Sequence, residues 1–504
     1  MIMRYLIPFI SWLFMVLALH AAPTTSFPEG NNNQENNDQE NNESEQVADQ
    51  IGYANQTDVN YKYISPSPGR FPIIAHGAKP SMRDANGEIV PYTMKQKDFD
   101  YLKSCGFNLF YLSARDDTLF NILGRLKNVE GLSVIYKTDD FKRGDSHTKG
   151  YIKGLYARMK NRNMPLSLIG GWFLEDEPMY IEINEYSQYY KTLAEGDPTR
   201  MPIINLVGGA IQKNVGTIVV KNNETNEYDT ITRPYEQFLD IIQDKFKPAV
   251  WSYDLYPIEL KKDGSVNVKY NGFYEDLILF SYISKNTKRP FWAYCQSMSL
   301  ISGGTHLPPP TEEYLRFEAI NALAFGAQGI VYWTYAPRAD EGGETYLSAL
   351  VDANGNPNKY WQYARTVNRE IRNYESVFLN ADFQSYYFYG TSYLGHTTYM
   401  KYPSSSDPVQ IESFSGRGLL VTYLKNNGKD YVIVVSQDPL NSQNVRVKLN
   451  ETDYVITPIR TRPNQTGGSL GQPYRVFAPS QYEIYRYEKK KKKISESADD
   501  VASE

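Results

Sequence analysis

Gly170-Gly171-Trp172-Phe173-Leu174-Glu175-Asp176-Glu177-Pro178 begins as an apolar run and ends in three acids and a proline. Read as a buried strand, it leaves carboxyl groups at its C-terminal end, where desolvation beside a tryptophan is expensive. A carboxyl held near apolar surface has a raised pKa and can serve as a general acid. The competing reading is a solvated turn rich in acids.

Working outward, the same rhythm recurs. Short apolar runs occur at Phe71–Ala75, Asn108–Ser113, Leu132–Lys137, Leu168–Leu174, Ile203–Val207, Ala249–Tyr253, Phe291–Cys295 and Gly329–Thr334. Helical patterns lie between them, such as Met94–Cys105 and Thr311–Gly326, the latter opening on Thr311 with Glu312 and Glu313 in its first turn. Eight strand–helix units predict an α/β fold, a closed (β/α)8 TIM barrel. An open doubly wound sheet is the alternative, but no glycine-rich phosphate fingerprint follows the first strand.

After about residue 378 the period changes to two. Gly418–Lys425 and Asp430–Ser436 flank Asn426-Asn427-Gly428, a hairpin signal. Val445–Leu449, Tyr454–Pro458 and Tyr482–Tyr487 follow, giving an expected antiparallel β-sandwich. The expected division is an export signal at 1–22, an Asn/Gln/Glu-rich disordered linker at 23–66, the barrel at 67–378, the sandwich at 379–488 and a charged tail at 489–504.

The signal reading rests on Arg4, an apolar run from Tyr5 to Leu19, and small residues after it. It predicts a secreted, periplasmic or cell-surface protein. No later segment is apolar for long enough to cross a bilayer. The chain has 504 residues, 41% hydrophobic, with a net charge of −5. That balance argues against a nucleic-acid or anionic-membrane partner. Forty-two tyrosines suit a carbohydrate partner, because each offers a flat apolar face with a polar tip, though they also suit ordinary β-surface. Cys105 and Cys295, expected at opposite ends of the barrel, are read as buried small hydrophobes without a disulfide.

In such barrels the site lies at the C-terminal ends of the strands. Residues expected there are His76 on strand one, Lys137 on strand three, Asp176 and Glu177 on strand four, and Asn205 on strand five. Strand six offers Tyr253, Asp254 and Tyr256, strand seven Gln296, and strand eight Trp333 and Tyr335. Trp172, Trp251, Trp292 and Trp333 fall in four of the strands. Two are expected in the core, and Trp333 first among those at the site, where an aromatic face stacks on sugar C–H groups. The histidines His76, His147, His306 and His396 show no metal-binding spacing, and no G-x-S-x-G elbow appears. No metal or other cofactor is expected. Carboxylate chemistry remains.

The end of strand four, with Tyr253-Asp254-Leu255-Tyr256-Pro257 and the run from Ala322 to Trp333 (ALAFGAQGIVYW), resembles secreted barrel glycoside hydrolases related to the family 42 β-galactosidases and the wider clan A. The likeness covers roughly residues 67–378. In that clan an Asn-Glu pair ends strand four, its Glu being the acid/base, and a second Glu ending strand seven is the nucleophile. The resemblance implies that Glu177 is the acid/base, with Asp176 where Asn is usual. Gln296 stands where the nucleophile belongs, and an amide cannot form a glycosyl ester. Three readings stay open. Asp254 acts as base on a water in an inverting scheme; Glu175 or Glu312 fills the role; or the barrel binds glycan without cleaving it.

Overall fold

The computed structural model describes residues 63–491 except 64, 91, 210–217, 222–227, 232–234, 341–342, 394–396, 398 and 461–473. The expected export signal, most of the expected linker, His396 and the tail beyond 491 lie outside the described residues.

The strand–helix rhythm closes on itself. The barrel strands are β1 (Ile73–Ala75), β2 (Leu109–Ser113), β3 (Ser133–Lys137), β4 (Ile169–Asp176), β5 (Met201–Val207), β6 (Trp251–Asp254), β7 (Phe291–Gln296) and β8 (Gly329–Trp333). They are followed in turn by α1 (Gln96–Cys105), α2 (Asp116–Leu126), α3 (Asp145–Asn161), α4 (Ile183–Gly196), α5 (Tyr235–Phe246), α6 (Tyr270–Thr287), α7 (Glu312–Ala324) and α8 (Lys359–Asn373). All eight strands are parallel neighbours in sequence order, and β1 pairs with β8 to close the ring, Ile73 opposite Ile330. The expected TIM barrel is present. Its helices start and stop on local chemistry. The Thr311 side chain caps α7 by accepting from Tyr314 N over 3.2 Å, and α1 stops at Gly106, whose φ of 101° a residue with a side chain rarely adopts.

Alternation along each strand divides the side chains. Ile74, Leu109, Tyr111, Ile135, Phe173, Ile203, Trp292, Tyr294 and Val331 form one cluster inside the barrel. Their neighbours, including Ile73, Phe110, Trp172, Leu174, Trp251, Tyr253, Cys295 and Tyr332, join the larger core between sheet and helices. Burying each such side chain contributes roughly 1.5–3 kcal/mol. Trp292 fits inside because β8 begins with a glycine: a Cβ on Gly329 would lie 2.5 Å from the indole. Cys105 and Cys295 are both buried and free.

Excursions from the strand ends build a second layer over the C-terminal face. Segments Ile258–Leu260, Val266–Val268, Ser299–Ser302, Thr305–Leu307 and Glu344–Ser348 form one five-stranded sheet. The Asp263-Gly264 turn joins its first two members, with Gly264 at φ 80°. The excursion after β5 forms a hairpin of its own, Ile218–Lys221 antiparallel to Tyr228–Ile231.

Beyond α8 the chain turns to antiparallel sheet. The strands are β9 (Asp382–Gly390), β10 (Val409–Phe414), β11 (Gly418–Asn426), β12 (Lys429–Ser436), β13 (Gln443–Leu449), β14 (Tyr454–Arg460), β15 (Tyr474–Phe477) and β16 (Tyr482–Lys489). They form a five-stranded sheet, β9-β11-β12-β16-β14, and a three-stranded sheet, β10-β13-β15. Both faces of β12 are apolar, and each has a partner. Val432 and Val434 pack in a core shared with Val409, Val445, Val447 and Phe477 of the smaller sheet. Ile433 and Val435 join the core that the barrel helices share. Arg316 on α7 and Arg460 on β14 both pair with Glu370 on α8, at 2.8 and 2.9 Å, which ties this sheet to the barrel. Among the described residues no helix is long and apolar enough to cross a membrane.

Candidate active site

The C-terminal face holds a cleft of about 830 Å³. Of the residues expected there, His76, Lys137, Asp176, Glu177, Asn205, Asp254, Tyr256 and Trp333 line it together. Three do not. Tyr253 points outward and stacks on Phe280 of α6, ring centroids 3.9 Å apart. Tyr335 is buried against Phe107, centroids 5.5 Å apart. Gln296 is buried, donates from Nε2 to Pro308 O over 3.1 Å and lines no part of the cleft. Their placements correct the sequence reading. Alternation sends Tyr253 and Asp254 to opposite faces of β6, and the backbone at Pro308 draws the Gln296 amide away.

The acidic end of β4 is sorted by a bulge between Phe173 and Glu175. Glu175 accepts from Lys137 Nζ at 2.9 Å, from Lys142 Nζ, and from Asp176 N at 3.0 Å. Burial works against its charged form, yet the two lysines outweigh burial and hold its pKa at about 2. Glu175 is a fixed anion that anchors Lys137. Glu312 pairs with Arg316 and is not part of the cleft wall. Neither can supply the missing carboxylate.

Asp176 and Asp254 share one amide. Asn205 Nδ2 donates to Asp176 Oδ1 at 3.0 Å and to Asp254 Oδ1 at 2.8 Å, while Ser252 Oγ donates to Asn205 Oδ1 at 2.8 Å. Glu177 sits in the left-handed region at φ 48°, its N–H donating to Asn205 O at 2.9 Å. That backbone sets its side chain open to the cleft, hydrogen-bonded to Asp254. Burial, then the charges of Glu177 and Asp176, push the Asp254 carboxyl well above its usual range. Glu177 is also raised, by the crowding protein first and by Asp176 second. The pair therefore holds a proton where isolated carboxyls would not, with Asp254 donating to Glu177. Trp172 is no part of this: it faces outward and donates to Asp197 at 3.1 Å.

The contact also decides the role of Asp254. Two carboxyls that serve an inverting hydrolysis stand about 6.5–9.5 Å apart, with a water between them. Glu177 and Asp254 touch, so Asp254 cannot be a base facing Glu177 across a water.

The opposite wall is aromatic. His76 Nδ1 lies 3.0 Å from Tyr294 Oη, and its ring is 4.4 Å from both Tyr111 and Trp333. Burial, then Arg338 and Lys137, hold His76 well below the usual histidine range and keep it neutral. Trp172, Trp251 and Trp292 are fully buried, whereas Trp333 stands at the cleft with the Arg338 guanidinium 4.7 Å over its ring.

Residues 209–374 match the family model for glycoside hydrolase family 42, described as beta-galactosidase. The barrel is glycoside hydrolase-like. The match includes Asp254, Gln296 and Trp333 but not the acidic end of β4. No curated protein sequence matches this chain. Among solved structures, Gan42B, a GH42 beta-galactosidase from G. stearothermophilus crystallised as a catalytic mutant, is similar at 9% identity and TM-score 0.47, over 78% of this chain and 96% of that one. A GH2 beta-galacturonidase from Eisenbergiella tayi, bound to galacturonate, is similar at 15% identity and TM-score 0.37, over 60% of this chain; this chain spans only 51% of its length. An endo-beta-1,4-mannanase from Thermotoga petrophila is similar at 10% identity and TM-score 0.38, over 76% and 96%. None of the three bears on what this glycoside hydrolase-like barrel acts on, and the fold rests on its own strand order.

Several cleft residues were not singled out from sequence. Tyr111, Phe173 and Tyr294 line it from inside β2, β4 and β7, strands apolar on both faces, so that nothing in the sequence marks the inward side. Arg338, Glu344 and Tyr346 come from the excursion after β8. Glu259 and Lys269 come from the one after β6 and pair with each other. No periodicity marks such excursions. Among the described residues no group of His, Cys, Asp and Glu has the arrangement to hold a metal ion.

Proposed function

We propose that this barrel hydrolyses an O-glycosidic bond of an oligo- or polysaccharide, with Glu177 protonating the departing oxygen. The observation that carries this is the Glu177–Asp254 contact: a proton-holding carboxyl pair, its outer member open to a cleft walled by Trp333, Tyr111 and Tyr256. A general acid needs reach to the leaving group and a proton to pass on: Glu177 opens to the cleft, and the proton that Asp254 donates into the pair is the one it would deliver. The neutral His76 offers a hydrogen bond to a sugar hydroxyl. Incubating the purified protein with a panel of polysaccharides and analysing the products tests this reading, and new reducing ends are the expected result.

A second reading is a barrel that grips glycan without cleaving it. It is favoured by the end of β7, where Gln296 is buried in place of a nucleophile. Retention on immobilised glycan with no product from any member of the panel would select it. The export signal at 1–22 belongs to the proposal too: the protein acts outside the cytoplasm, and N-terminal sequencing of the mature chain should begin near Ala22.

A further inference from the structure

We propose that Glu344 is the second carboxylate of the site, acting as base on the water that attacks the anomeric carbon. This rests on the hydrolase reading above and supplies the partner that β7 does not.

Among the described residues five acids line the cleft: Asp176, Glu177, Asp254, Glu259 and Glu344. Asp176 and Asp254 are held by one Asn205 amide on the same side as Glu177. Glu259 is closed by its ion pair with Lys269. Glu344 remains. It lies on the Glu344–Ser348 strand, opposite Ser302 in the sheet over the barrel mouth. Tyr346, two residues on and therefore on the same face, donates from Oη to Glu344 Oε2 at 2.7 Å. The Tyr346 ring lies 6.4 Å from Trp333, which places the acid beside the stacking wall. Its charge reaches Glu177 and adds to that group's affinity for its proton. Glu177 at the end of β4 and Glu344 in the sheet over the mouth thus line one cleft from different elements, with room for a water to be held between them.

The balance of the step is simple. Glu344 takes a proton from water while the water oxygen bonds to the anomeric carbon. The bond from that carbon to the glycosidic oxygen breaks with its electron pair on the oxygen, which takes the proton of Glu177. Glu344 then loses its proton to solvent, and Glu177 regains one. Attack on the face opposite the leaving group inverts the anomeric centre.

The test uses the full chain and whichever glycan of the panel it cleaves. NMR of the first product formed should show inversion. Glu344→Ala should lose about 10²–10⁴-fold in kcat, and added azide should restore turnover as glycosyl azide. Tyr346→Phe keeps the acid but removes its hydrogen-bond donor, so the acidic limb of the kcat/KM profile should move to higher pH. Retention of configuration, an unchanged rate in Glu344→Ala, or an unmoved limb in Tyr346→Phe overturns the assignment and leaves the hydrolase reading intact. No product from the unmodified protein overturns both.

Discussion

Asn205 donates from Nδ2 to Asp254 Oδ1 over 2.8 Å, and the same nitrogen holds Asp176 at 3.0 Å. One neutral amide thus moderates two buried acids whose desolvation pushes both pKa values up. Removing the donor removes the stabilisation of the charged forms. Asn205→Ala should shift the pH-dependence of kcat/KM toward higher pH, because each acid holds its proton more tightly. Loss of a donor to buried acceptors should also destabilise the fold by about 1–3 kcal/mol. A shift toward lower pH would contradict this account of the network.

Gln296 and Trp333 separate stability from binding. The Gln296 amide is buried and spent on Pro308 O, so Gln296→Ala should lower the melting temperature without changing affinity for glycan. Trp333 faces the cleft under Arg338. Trp333→Ala should weaken glycan binding by roughly tenfold or more, since an aromatic stack contributes about 1–2 kcal/mol. Calorimetric titration and thermal unfolding of both variants check the contrast, and weaker glycan binding by Gln296→Ala would refute it.

Glu318 makes a different kind of prediction. It is buried in α7, accepts from Gln296 N at 2.7 Å, and is pushed by burial to about 8. Its Oε1 and Gln296 Oε1 are both buried without a hydrogen-bond partner. The unfolded chain releases this proton near the ordinary glutamate value of 4.5, but the folded chain holds it to about 8. Between those values rising pH favours the unfolded state; above about 8 the penalty is constant. Glu318→Gln keeps the acceptor and adds a donor for the orphaned oxygen. Its stability gain over the parent should be small at pH 5 and rise to a few kcal/mol at pH 8. A gain independent of pH would contradict the burial argument.

The join between barrel and β-sheet domain rests on Glu370, which lies between the buried Arg316 and Arg460. Glu370→Leu leaves Arg460 without a carboxylate and Arg316 with Glu312 alone, and should cost about 3–5 kcal/mol. Urea unfolding of the two proteins measures it, and a change within ~0.5 kcal/mol would show that the pairing is not what ties the two parts together.

The barrel was legible because each run of apolar residues has the length of a strand and each gap the length of a helix. What sequence could not resolve was which face of a strand looks inward. Strands covered on both sides are apolar on both sides, so Trp172 and Phe173 read alike although only Phe173 reaches the cleft. The bulge after Phe173 then resets the alternation and turns three consecutive acids to different tasks. Tyr253 and Tyr335 were misplaced for the same reason of parity. Glu344 was illegible for another: it comes from a short sheet assembled from three separate excursions, and nothing local in RADEGGETYLS marks it as part of a wall.

The most direct test of the account is Glu177→Gln assayed on two substrates. The variant keeps the shape and the contact with Asp254 but loses the titrating proton. On a glycoside whose leaving group needs protonation, kcat should fall by about 10²–10⁴-fold, while an activated glycoside, whose leaving group departs unaided, should lose much less. Equal losses on both would mean that Glu177 only binds, and full activity on both would remove it from the chemistry altogether.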